Sequence, residues 1–206
     1  MKGLSFSYLL LFLLISGCTK NHTRTLSTDT SGFCGDFLPV HYEGVTICVA
    51  PDYYSVNGVR TPLGYSDALH LADSLDMWLP AVEMVNAIYQ QADIKLPPIP
   101  MPPTEEMTTR AYYVRHDALI DEQIADSGFT SISGKLIAGH KKDVIAIDRI
   151  STKVGIYGWH LSDSTFIQPF STVHRREYFD YSHGIRLIKK QALDADGNVI
   201  TLPYPY

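Results

Sequence analysis

Five of the eight residues from Leu96 to Pro103 are proline, and neither a helix interior nor a central strand can run through such a stretch. Each proline fixes φ and removes a backbone N–H. The chain must therefore cross this segment extended and semi-rigid. Neither flank is large enough to stand comfortably alone, so the segment is read as a crossover inside one domain spanning 33–206.

The elements on either side differ in kind. From Phe37 to Val49 apolar residues alternate and cluster, which predicts one or two strands. Asn57-Gly58 predicts a tight turn between Tyr53–Val56 and Val59–Arg60. Two helices follow, one capped by Ser66 and one with Pro80 in its first turn. A further short helix is expected over Arg115–Ala125. Beyond Lys135 come short apolar runs at Leu136–Ala138, Val144–Ile147, Val154–Tyr157, Phe166–Ile167, Thr172–Val173 and Ile185–Ile188. Asp196-Gly197-Asn198 reads as a last hairpin turn. Strands, then helices, then strands predict an α+β fold with a mixed or antiparallel sheet and two to three helices inserted in the N-terminal half.

The first residues predict an address. Lys2 supplies a positive charge, an apolar run follows from Leu9 to Ile15, and Ser16-Gly17 precede Cys18. That is the pattern of a secretory signal, assigned here to 1–17. It is too short to span a bilayer, which takes roughly 20 apolar residues. Ile15-Ser16-Gly17-Cys18 resembles the lipobox of bacterial lipoproteins, which implies a lipid on Cys18 and a membrane partner through that anchor. Thr19 stands where inner-membrane lipoproteins carry aspartate, so the resemblance implies an outer-membrane protein facing the periplasm. Residues 18–32 are polar and read as a flexible tether. In an oxidising compartment Cys34 and Cys48 are expected to pair.

The formal net charge is −5, which argues against a nucleic-acid partner, since such proteins carry a basic field. Peptidoglycan or an envelope glycan is the partner that the address suggests.

Four of the eight histidines, His140, His160, His174 and His183, fall in the last third of the chain beside small or polar residues. Gly139–Asp143, Ile156–His160, Ile167–Pro169 and Asp180–Arg186 together resemble signatures of a family of exported, mostly uncharacterised proteins. The Leu79-Pro80 helix start, with Met84-Val85 inside it, fits the same pattern. The resemblance implies one domain with its signature in the C-terminal half, and no particular reaction.

Three chemistries remain open. His174, Asp180 and His183 have the composition of a catalytic zinc set, and zinc is the cofactor implied. They resemble the His-Asp-His set of cell-wall zinc peptidases, although five residues lie between His174 and Asp180 where those have six. The second is metal-free acid–base catalysis by His160 or His183, oriented by Asp143 or Asp180, with Lys142 and Arg186 stabilising negative charge. Ser182 is a conceivable nucleophile there, with His160 or His174. In the third, the histidines are structural, and Tyr157, Trp159, Tyr178 and Tyr181, with His140, line a binding groove. The expectation is an envelope hydrolase acting on peptidoglycan or a related polymer. The alternative is a non-catalytic envelope-binding or assembly lipoprotein.

Overall fold

The computed structural model describes residues 30–129 and 131–206. The leader 1–17, the lipidation site Cys18 and most of the tether lie outside the described residues. The last tether residues do not stay irregular: Thr30–Cys34 forms a short helix, α1. Its end is fixed by the Cys34–Cys48 disulfide, whose Cα atoms are 5.3 Å apart. Closing a loop of this size contributes about 3 kcal/mol in the chain-entropy account.

Strands β1 (Leu38–Tyr42) and β2 (Val45–Val49) form a hairpin. Its two turn residues, Glu43 and Gly44, both take positive φ, the geometry that matches strand twist. Asn57 and Gly58 do the same between β3 (Ser55–Val56) and β4 (Val59–Arg60), as their sequence predicts. Helix α2 (Tyr65–Ser74) starts at an N-cap on Gly64 rather than Ser66. The reason is a close approach: a Cβ on Gly64 would lie 2.6 Å from the Glu177 carbonyl oxygen. The Ser66 hydroxyl instead receives the Arg176 guanidinium at 2.6 Å.

After β5 (Met77–Trp78), helix α3 (Val82–Gln91) begins beyond Pro80, whose carbonyl is taken by the Ala146 N–H. Strand β6 (Ile94–Lys95) leads into the proline segment, which forms neither helix nor strand. A 3-10 turn at Glu105–Thr108 precedes α4 (Arg110–Asp126), longer than expected because Thr109 caps it at the Tyr112 N–H.

The remaining strands are β7 (Ile137–Ala138), β8 (Lys142–Ile145), β9 (Gly155–Ser162), β10 (Thr165–Ser171), β11 (His183–Gly184), β12 (Ile188–Leu193) and β13 (Val199–Thr201). One sheet runs β1-β2-β12-β13, with β5 also on β12, and a second runs β10-β9-β8-β11. The architecture is α+β. Pairing is mostly antiparallel, but β8–β11 and β6–β7 are parallel. Thr172–Val173 lies past the end of β10. Ile185–Leu187 is not strand either: it carries the chain from one sheet to the other, its carbonyls bonded by Tyr54 and Ala50 N–H groups. Arg186 is thereby placed between the sheets, fully buried.

Helix α3 packs Met84, Ile88 and Tyr89 on the first sheet's Val40, Ile47, Val49 and Ile188. Helix α2 packs Ala68, Leu69 and Ala72 on Val144 and Ile156 of the second and on Val154 just before β9. Each valine, leucine, isoleucine or methionine among them stabilises by roughly 1.5–3 kcal/mol on full burial. No helix among the described residues is long and apolar enough to cross a membrane.

Candidate functional site

The parallel β8–β11 pair sets the site. Its register places Lys142 opposite His183 and Asp143 opposite Gly184. Because neighbours on a strand face opposite ways, Lys142 and His183 share one face, and Asp143 lies on the other. Gly184 is required there, since a Cβ would sit 2.6 Å from the Tyr53 ring.

The first face holds Asp180, Ser182, His183, Lys142, Tyr178 and His174. The turn is local chemistry: one Asp180 oxygen accepts the Ser182 N–H at 2.8 Å and its hydroxyl too, while the His183 N–H bonds the Asp180 carbonyl. The other Asp180 oxygen accepts the Tyr178 hydroxyl at 3.1 Å. Burial pushes the Asp180 carboxyl up, but His183, the Ser182 hydrogen bonds and Lys142 outweigh it and hold the group below its usual range.

His183 is 1% exposed, and neither ring nitrogen makes a hydrogen bond of ordinary geometry, although the Leu63 carbonyl is near enough to pull its pKa upward. Burial pulls its imidazole down to about 4 despite the opposing pull of Asp180, so the ring is neutral near pH 7. Tyr178 covers it, edge-on with ring centroids 5.8 Å apart, and stacks its other side on His174 at 4.0 Å. Beyond these two rings opens a cleft of about 640 Å³, lined by Thr108, His174, Arg175, Glu177, Tyr178 and Phe179. The expected metal set is not assembled. Tyr178 stands between the two imidazoles, Asp180 is engaged by Ser182 and Tyr178, and among the described residues no three His, Cys, Asp or Glu are placed to hold a metal.

The second face is a closed polar network. Asp143 accepts the Tyr53 hydroxyl at 2.9 Å, and burial pushes its carboxyl up to about 7. Arg186 lies over the Tyr53 ring at 4.2 Å and donates to the Ala50 and Ile137 carbonyls. It therefore ties the end of β2 to β7 instead of facing the cleft. His140 pairs with Asp52 at 3.1 Å, and Asp52 with Arg60, which also binds Asp117 and Asp121. Lys141, fully buried, donates to the Tyr181 carbonyl at 2.7 Å and meets His116 at 3.1 Å. Burial drags its ammonium down to about 7 and the His116 imidazole to about 2. His116 Nε2 reaches the Ile99 carbonyl, pinning the proline crossover to α4.

His160 is not brought to the His183 group. Its ring stacks on Tyr89 at 4.4 Å and bonds Asn86, as does the Tyr157 hydroxyl, on the α3 side. Nor do Tyr157, Trp159, Tyr181 and His140 line a groove, because all are buried. Trp159 takes φ +60 after Gly158 at +100. That costly backbone directs its indole N–H to the His140 carbonyl and its ring to Lys142, 4.9 Å away. Ser182 bonds Asp180 and no imidazole.

Sequence reasoning missed Asp52, Tyr53, Arg60, His116 and Asp117, which sit far from the histidine-rich strings. Lys141 was within reach, since it stands beside His140 and Lys142 in the same string. Comparison with known proteins finds no matching family model, curated protein or solved structure.

Proposed function

We propose that the chain is an envelope hydrolase, exported by its leader, held by lipid at Cys18 and acting on peptidoglycan or a related polymer without needing the three-ligand metal set. The observation that carries this reading is His183: a buried imidazole with no hydrogen bond of ordinary geometry beyond the nearby Leu63 carbonyl calls for an explanation, and Tyr178, which packs edge-on against it, lines a cleft. A neutral His183, uncovered by rotation of Tyr178, accepts a proton from water as the water oxygen bonds to the scissile centre. The leaving group then takes that proton from the imidazolium as the bond breaks. Lys142 supplies positive charge on the same face. Asp180 holds the turn and favours the imidazolium once it forms.

The test is release of soluble fragments from purified sacculi by the full-length chain in mild detergent, with and without chelator. Chelator-resistant release that His183→Asn abolishes supports the reading. One observation favours the binding-module alternative: His140, His160 and His183 are all buried. That alternative predicts co-sedimentation with sacculi, no fragment release, and indifference to His183→Asn in a folded protein.

A further inference from the structure

Below the histidine cleft lies a second one of about 650 Å³, and the two share Arg175 and Glu177 as lining. Its walls are the chain between β8 and β9 and the chain between β10 and β11. They are zipped together by the Lys153–Arg175 bridge, the Arg176 N–H to the Thr152 carbonyl at 2.9 Å and the Val154 N–H to the His174 carbonyl at 3.3 Å. Arg149, Lys153, Arg175 and Arg176 line it, with Glu177 as an acidic member. Arg149 is paired with Asp73. Lys153, Arg175 and Arg176 form no salt bridge among the described residues. Uncompensated cations therefore gather at one cleft of a chain whose net charge is −5.

The donors are not all free. Arg176 spends its guanidinium on Ser66 and on the Arg149 and Ser151 carbonyls, and lies over the Tyr65 ring. It fixes the cleft and contributes field rather than contacts. Lys153 donates to the Val173 carbonyl at 3.1 Å, and Arg175 is exposed. Spaced single charges along an open cleft match separate carboxylates. A phosphate needs several donors converging on one point, and Lys153 and Arg176 already give donors to main-chain carbonyls.

Resting on the hydrolase reading, we infer that this cleft is the subsite for the flanking part of the substrate, a peptide chain bearing spaced free carboxylates, held so that an adjoining bond reaches the Tyr178–His183 end. The test is calorimetric titration of the full-length chain, in mild detergent at low salt, with a short glutamate oligopeptide, the matching glutamine oligopeptide and short polyphosphate. The glutamate peptide should bind, and the glutamine peptide should not. Arg175→Gln should weaken binding about threefold, and the double variant with Lys153→Gln about tenfold, with Tm unchanged. Equal binding of both peptides, tighter binding of polyphosphate, or wild-type affinity in the double variant overturns the subsite. His183→Asn keeps the binding in every case. Cation-dependent binding without any hydrolysis therefore overturns the catalytic reading alone.

Discussion

Asp180 holds both donors of Ser182, the backbone N–H at 2.8 Å and the hydroxyl, on a single carboxylate oxygen. Its other oxygen is taken by Tyr178. The carboxylate thus acts on His183 through its charge and not through a hydrogen bond, unlike a triad aspartate, which orients the imidazole directly.

That arrangement predicts the direction of a titration. The Asp180 charge raises the His183 pKa and burial lowers it, with burial ahead at about 4. Asp180→Asn removes the opposing pull, so the imidazole should titrate lower still. Ring ¹⁵N shifts of His183 across an acid series measure this, and an upward movement would mean that Asp180 is not the group felt by the ring.

Stability should fall on acidification below pH 6.5. His183 and His160 are pulled to about 4 and His116 to about 2, each by burial above all, and His140 is also lowered. Between those values and the ordinary 6.5 the unfolded chain binds more protons than the folded one, so the unfolding free energy drops as pH falls. Asp143, raised to about 7, works the other way over roughly the same window, but it is one group against four. Urea midpoints from pH 7 to 4.5 should decline, and His183→Asn should decline less steeply. A flat profile would mean that these imidazoles are not buried as described.

Two glycines should differ in what they cost. At Gly184 an added Cβ meets the Tyr53 ring at 2.6 Å and the Lys141 Cβ at 2.7 Å, so Gly184→Ala should destabilise by about 2–3 kcal/mol through overpacking. At Gly158 the nearest atoms belong to the His160 ring at 3.2 Å, and the cost is the positive φ. Gly158→Ala should cost about 1–2 kcal/mol. Chemical denaturation checks both, and equal losses would contradict the packing around Tyr53.

Where chemistry was local, the sequence was readable. Asn57-Gly58 carries its own turn, the paired cysteines follow from their number, and strand–helix–strand order predicts α+β. Asp180, Ser182 and His183 were found together because an aspartate nucleates the turn that holds them. His160 was misjudged since a string such as Ile156–His160 does not reveal that Gly158 and Trp159 adopt positive φ. The reversed backbone sends Trp159 toward Lys142 and leaves His160 on α3. Arg60, Asp117 and His116 escaped for a different reason. Their partners lie far along the chain, as with Arg60 and Asp117 at 2.9 Å, and no local pattern marks a pairing made by tertiary packing.

The most direct measurement is the rate of fragment release from sacculi by wild type and His183→Asn, both confirmed folded by circular dichroism. An imidazole working as the base predicts a loss of about 100-fold or more, with binding to sacculi retained. Equal release by the two proteins would contradict a catalytic role for His183 and leave its buried ring as a feature of the core.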